Sequence, residues 1–148
     1  MSVLITGGAG FIGSHLVDHL LAETDRRMVI LDTFSTGRAS NLAHLSTDRL
    51  ETINGNVRDG ALVADLVGDA DAVYHLAAAV GVENIIDNPL NSMQTNLQGT
   101  ENVLEAAAVD ATPTFIASSS EVYGKSEAVP FAERDDRVYG PTASPRWG

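Results

Sequence analysis

The sequence predicts an α/β protein built on a parallel, doubly wound sheet. Three observations predict it. Short apolar runs rich in β-branched residues alternate with longer segments of helical period, the pattern of strand–helix–strand units with right-handed crossovers. The first run passes directly into a glycine-rich turn and a helix. The chemically suggestive residues Gly7, Asp32, Asn56, Ala77 and Ser119 all fall at or just beyond the ends of the runs, where ligands bind such sheets.

The elements follow in order. Val3-Leu4-Ile5 reads as the first strand. Apolar positions Phe11, Ile12, Leu16, Leu20 and Leu21 recur at helical spacing and predict a helix ending near Glu23. A second strand over 28–31 ends in Asp32, and a polar loop over 33–40 contains Gly37 as its breaker. Residues 50–54 read as a third strand, and 55–59 as a turn in which Asp59 caps a helix over 60–67. The fourth strand spans 72–76 and leads into Ala77-Ala78-Ala79. Pro89 opens a long helix to about Val109, whose face is read as Met93, Leu97, Thr100, Val103, Leu104 and Ala107. The fifth strand, 114–117, ends in Ser118-Ser119-Ser120. Beyond Tyr123 the sequence is polar, rich in Pro and Gly, and without a regular period.

The first thirty-two residues suit grip on a dinucleotide. Gly7 can take a tight turn with positive φ, Gly10 lets backbone approach a pyrophosphate, and Gly13 lets the helix sit close on the strand. The N–H groups that open the helix then face the phosphates, and its dipole favours their charge. Asp32 lies nineteen residues past Gly13, close to the spacing at which a carboxylate accepts hydrogen bonds from an adenosine ribose. That acid favours NAD over NADP, because it would repel a 2′-phosphate. Arg38 could oppose this preference, or be a solvated loop arginine.

Composition narrows the function classes. The 148 residues are enough for one domain with a real core, and 44% are hydrophobic. Nine basic residues against twenty acidic ones give a net charge of −11 with no basic cluster, which argues against nucleic acid as a partner. The absence of cysteine excludes disulfides and thiolate metal sites. His15 and His19 are the one histidine pair at helical spacing, and without a Glu-x-x-His arrangement or third ligand no metal site is expected. No apolar run reaches membrane-spanning length and no signal-peptide pattern opens the chain, so a cytoplasmic protein is expected.

The chain resembles the N-terminal part of the extended short-chain dehydrogenases/reductases, and within them the NAD-dependent nucleotide-sugar epimerases and dehydratases. The segments that carry the resemblance are TGGAGFIGSHLVDHLL (6–21), LDTFSTG (31–37), GNVRD (55–59), VYHLAA (73–78), TNLQGTENVLEAA (95–107), SSSEVYG (118–124) and YGPTASPRWG (139–148). The resemblance implies a Rossmann-like fold with NAD as cofactor and a nucleotide sugar, UDP-linked by preference, as substrate. It implies that Gly7, Gly10 and Gly13, with Phe11 and Ile12, hold the pyrophosphate. Asp32 would bind the adenosine ribose with Ser35, Thr36 and Gly37 nearby. Asn56, where the family often has Asp, would flank the adenine with Val57. Leu76, Ala77 and Ala78 would line the nicotinamide side, and Asn96 would steady the sheet around the site. Val80 and Ser120 would meet substrate.

Ser119 stands four residues before the Tyr of Val-Tyr-Gly, where the family keeps its catalytic Ser or Thr. Its hydroxyl would hydrogen-bond the sugar 4-OH as hydride passes to NAD. Taken alone, three serines at a strand end read as loop capping. Glu121 bears on subclass. Family dehydratases carry Thr-Asp-Glu before Val-Tyr-Gly, whereas Ser120 has no acid function, and Ser-Ser-Glu is similar to UDP-glucuronate decarboxylases and a group of UDP-sugar 4-epimerases. With Ser119, Glu121 is read as a catalytic residue, the alternative being a solvated turn carboxylate. The reading favoured is 4-epimerisation of a UDP-sugar through a 4-keto intermediate. The alternatives are decarboxylation of UDP-glucuronate, 4,6-dehydration, and NAD binding without chemistry.

One family feature is absent. Its general base is a Tyr-x-x-x-Lys tyrosine, and none of Tyr74, Tyr123 and Tyr139 has Lys four residues on. A chain of these 148 residues alone is therefore expected to bind cofactor without turnover. It is expected to end before that helix and the substrate domain, and to leave apolar surface near the fourth and fifth strands. The resemblance also implies a homodimer through a four-helix bundle in the full-length parent.

Overall fold

The computed structural model describes residues 1–79, 86–127 and 129–141. Five parallel strands, β1 (Ser2–Thr6), β2 (Arg27–Asp32), β3 (Leu50–Asn54), β4 (Ala72–His75) and β5 (Thr114–Ile116), form one sheet in the order β3-β2-β1-β4-β5. Among the described residues, the helices that connect them are α1 (Phe11–Glu23), α2 (Gly60–Gly68) and α3 (Pro89–Asp110). The chain moves outward from β1 to β3, then crosses back to β4 on the other side. The strand order therefore reverses between β1 and β4, the place where doubly wound sheets bind ligands. The Rossmann-like architecture read from the sequence is the one observed.

Alternation along the strands explains why helices cover both faces. On one face Val3 and Ile5 of β1 and Met28 and Ile30 of β2 pack with Val17 and Leu21 of α1. On the other, Leu4 and Leu31 pack with Val63 and Val67 of α2 and with Val103 and Ala107 of α3. The continuous apolar runs 3–5 and 28–31 are thus each divided between two cores. Asp59 caps α2, its Oδ1 accepting the Leu62 N–H at 3.1 Å, as its position predicts.

Two helix faces differ from the sequence reading. On α1 the buried residues are Gly13, Ser14, Val17 and Leu21, while Phe11 and Ile12 point outward and are exposed. On α3 the buried set is Ser92, Gly99, Val103 and Ala107, while Met93, Leu97 and Leu104, assigned to the core face, are exposed with Leu90. The cause on α3 is close packing at Gly99. A Cβ there would stand 2.5 Å from Cγ2 of Val57, so small residues, not leucines, face the core. Phe115 and Ile116 on β5 are exposed, in line with the apolar surface expected beside that strand.

Within the stretch expected to be one domain, the chain forms two compact units, Met1–Ile116 and Ala117–Gly148. The sheet and its helices make the first. In the described part of the second, Ser120–Tyr123 form a 3₁₀ turn, Tyr123 stacks on Phe131 at 4.7 Å, and Lys125 donates its N–H to the Val138 carbonyl at 2.7 Å.

Candidate functional site

The site is built first by the turn between β1 and α1. Gly7 sits at φ +73°, and a Cβ on it would lie 2.8 Å from the Ala77 nitrogen and 2.9 Å from the Leu76 carbonyl carbon. That close approach brings the turn against the end of β4. Gly13 is tighter still. A Cβ there would run into the Gly7 carbonyl oxygen and lie 2.7 Å from Gly8 Cα. Gly7 therefore takes the positive φ read from its place, and Gly13 lets α1 sit close on the turn residues Gly7 and Gly8. Gly10, at φ −73° and ψ 175°, is the N-cap of α1 and supplies no side-chain cap. The first N–H groups of a helix have no partner within it. Those of α1 open beside the exposed Phe11 and Ile12, and such a terminus favours an anion.

Asp32 fixes this turn from the neighbouring strand. The residue is 8% exposed. Its Oδ2 accepts the Ala9 N–H at 2.9 Å and its Oδ1 accepts the Phe34 N–H at 2.8 Å. The Ala9 carbonyl in turn accepts the Arg38 N–H at 3.0 Å and the Asn41 amide at 2.8 Å. A single alanine of the glycine turn is thus held by the last residue of β2 and by two residues of the segment after it. Sequence reasoning missed Ala9 and Asn41, because nothing in their spacing signals a contact 32 residues apart. Gly37 is buried in the same clamp, and Ser35 and Thr36 are exposed beside it.

Beyond β3, Asn56 accepts the Arg58 N–H at 2.9 Å through Oδ1 and is exposed, whereas Val57 is 4% exposed and belongs to the core. Val57 can offer a ligand only its backbone. Asn102 donates to the Val57 carbonyl at 2.8 Å and holds this turn against α3.

Leu76, Ala77 and Ala78 follow β4, which ends one residue earlier than read from sequence, at His75. The Ala77 N–H is donated to Thr6 Oγ1 at 3.1 Å and the Ala79 N–H to Asn96 Oδ1 at 2.7 Å. Asn96 thus acts on the segment after β4 from a helix seventeen residues downstream. Val80 lies outside the described residues.

Ser119, Ser120 and Glu121 belong to the second unit. Ser119 is the N-cap of the 3₁₀ turn, its Oγ accepting the Glu121 N–H at 3.3 Å, and all three residues are exposed. Tyr139 donates its hydroxyl to the Val122 carbonyl at 2.5 Å and pins the turn from behind. Among the described residues, no group of His, Asp and Glu could hold a metal ion, and no helix is long and apolar enough to cross a membrane.

Residues 4–144 match the GDP-mannose 4,6 dehydratase family. The chain is 41% identical over 144 residues to the UDP-N-acetyl-alpha-D-glucosaminuronate decarboxylase of Bacillus cytotoxicus, covering 97% of this chain and 44% of that protein. Its fold superposes with a TM-score of 0.85 and 32% identity on the UDP-N-acetylglucosamine 4-epimerase of Methanobrevibacter ruminantium, in complex with UDP-N-acetylmuramic acid, over 98% of this chain and 45% of that one. The dTDP-glucose 4,6-dehydratase DesIV of Streptomyces venezuelae, a double mutant with NAD bound, gives a TM-score of 0.83 and 35% identity over 94% and 46%. The chain spans less than half the length of each of these relatives.

Proposed function

The chain belongs to the GDP-mannose 4,6 dehydratase family, and from that premise we propose that it is the dinucleotide-binding part of an NAD-dependent enzyme that oxidises a nucleotide sugar at C4. The observation that carries the reading is the turn from Gly7 to Gly13. The positive φ of Gly7 and the close backbone contacts at Gly7 and Gly13 leave no room for a side chain at either position, while the uncapped start of α1 stays open to a pyrophosphate.

The remaining assignments follow the strand ends. A carboxylate has about four lone-pair sites, and Asp32 commits two of them to Ala9 and Phe34, which leaves acceptors for ribose hydroxyls. Ser35, Thr36 and Gly37 border that position. Asn56 meets the adenine through its side chain and Val57 through its backbone. Leu76, Ala77 and Ala78 line the nicotinamide side, and Asn96 holds that segment in place through Ala79. NAD supplies the hydride acceptor for C4. Ser119 and Glu121 are the proposed catalytic residues, Ser119 hydrogen-bonding the sugar 4-OH, and Ser120 and Val80 are the proposed substrate contacts. The sequence holds no Tyr-x-x-x-Lys, so proton abstraction is not assigned to these 148 residues.

The activity proposed is 4-epimerisation of a UDP-sugar, by oxidation to the 4-keto sugar and return of hydride to its other face. Decarboxylation of a UDP-uronate begins with the same oxidation. It is the second reading, favoured by the 41% identity to a decarboxylase; Ser-Ser-Glu at 119–121 fits both. A second copy of the chain is the proposed partner, and the exposed apolar stripe of Leu90, Met93, Leu97 and Leu104 on α3 supports it. The test is to supply UDP-glucose and UDP-glucuronate to the protein that carries this chain and follow epimer formation and CO₂ release. Ser119→Ala should lower either turnover by about 10²-fold, the low end for positioned proton-transfer groups, with NAD affinity kept. Turnover at the wild-type rate in that variant, or no NAD binding by the parent protein, defeats the reading.

A further inference from the structure

We propose that His75 is a positioning residue: with Thr6 and Thr100 it forms a hydrogen-bond chain of fixed polarity that holds residues 76–79 in the conformation that grips the nicotinamide end of the dinucleotide. The inference rests on the NAD-binding reading above and assigns a role to a residue that reading leaves unused.

The geometry carries it. His75 is the last residue of β4 and is 4% exposed. Its Nδ1 lies 2.8 Å from Thr6 Oγ1 on β1 and its Nε2 lies 3.1 Å from Thr100 Oγ1 on α3. Thr100 donates its only hydroxyl proton to the Asn96 carbonyl at 2.7 Å. Its oxygen is therefore an acceptor toward the imidazole, and His75 must carry its proton on Nε2. Nδ1 is then an acceptor, and Thr6 donates to it. Thr6 Oγ1 is left with a lone pair for the Ala77 N–H. Every donor in the chain has one acceptor, and reversing any bond orphans a proton elsewhere. Burial lowers the His75 pKa, which agrees with a neutral ring.

The chain has two outlets, both on the segment proposed to face nicotinamide. At one end Thr6 binds the Ala77 N–H. At the other, the bond from Thr100 fixes the backbone of Asn96, whose side chain binds the Ala79 N–H. The imidazole therefore ties β1, β4 and α3 together at the switch point of the sheet. Asp32 ends β2, on the other side of β1 from β4, and the turn at 7–13 meets the segment through the backbone packing of Gly7 on Leu76 and Ala77; neither shares a bond with Thr100. A fault in the chain should be felt at the nicotinamide end and not at the adenosine end.

The experiment separates those ends by titrating the chain with NAD and with ADP-ribose, which lacks nicotinamide, in a calorimeter. Thr100→Val keeps the shape of the side chain and removes the acceptor. It is expected to weaken NAD about three- to tenfold, the scale of one hydrogen bond, and to leave ADP-ribose within about twofold. Thr100→Ser, which keeps the hydroxyl, should restore NAD binding. If Thr100→Val does not fold, Thr100→Ala carries the same comparison. Equal losses for both ligands, or no change for either, overturn the inference and leave the dinucleotide reading standing. A wild-type chain that binds neither ligand overturns both.

Discussion

Replacing Gly13 by alanine sets two effects of opposite sign against each other. In an open helix position the change gains up to about 1 kcal/mol, because alanine is the better helix former. At Gly13 the new methyl would meet backbone. Gly8 Cα would lie 2.7 Å away, about 0.7 Å inside the 3.4 Å at which ordinary contact begins, and the Gly7 carbonyl would be nearer still. Neither neighbour is the end of a flexible side chain, so relief requires moving α1 off the phosphate turn. Overpacking of this kind costs about 1–3 kcal/mol, and most of it should survive the gain in helix propensity. Gly68 is the control. It ends α2, and a Cβ on it meets nothing within 4 Å. Urea denaturation followed by circular dichroism should show Gly13→Ala destabilised by about 1–2 kcal/mol and Gly68→Ala unchanged or slightly more stable. NAD affinity should fall in the first and hold in the second. A Gly13→Ala chain as stable as wild type, with unaltered NAD affinity, would refute the claim that this glycine sets the height of the helix over the turn.

Asp32→Ala removes the acceptor of two backbone N–H groups. It should destabilise the chain by about 2–4 kcal/mol on the scale of hydrogen bonds to charged groups and weaken NAD by about 1–3 kcal/mol. Isothermal titration at a urea-free temperature below the variant's Tm measures the second quantity, and unchanged affinity would remove the ribose assignment. Burial holds the His75 pKa below its ordinary 6.5. The unfolded chain then takes up a proton at higher pH than the folded one, so His75 contributes stability above pH 6.5 that is lost as pH falls through the window below it. The difference in urea midpoint between about pH 7.5 and about pH 5.5 should shrink in His75→Gln, and an identical pH profile in the variant would contradict a neutral buried ring. Leu97→Lys on the exposed stripe of α3 should lower self-association in sedimentation velocity without lowering Tm; loss of stability instead would mean the leucine packs within its own chain.

Much of this was legible in the sequence. The bounds of β3 and the cap at Asp59 fall where they are read, because a short β-branched run and an N-cap carboxylate act within a few residues. The tight turn at Gly7 was legible for the same reason. Helix faces were not. The apolar residues of α3 read as one face, yet Met93, Leu97 and Leu104 are exposed while Ser92 and Gly99 are buried. Hydrophobic spacing says that a helix has an apolar stripe. It does not say which partner the stripe meets.

The sequence by itself determined that this is a parallel α/β protein whose first turn suits a pyrophosphate, and the resemblance carried by its motifs named the family that the comparisons bear out. Those properties are written in local spacing, and local spacing survives in one dimension. Only the tertiary structure decided that Asp32 braces Ala9, that Asn41 closes the same clamp, and that His75 joins Thr6 to Thr100. Each of these contacts links residues 23 or more apart in the chain. Their partners are chosen by strand order and register, because a buried polar group must take whichever donor or acceptor the fold places beside it.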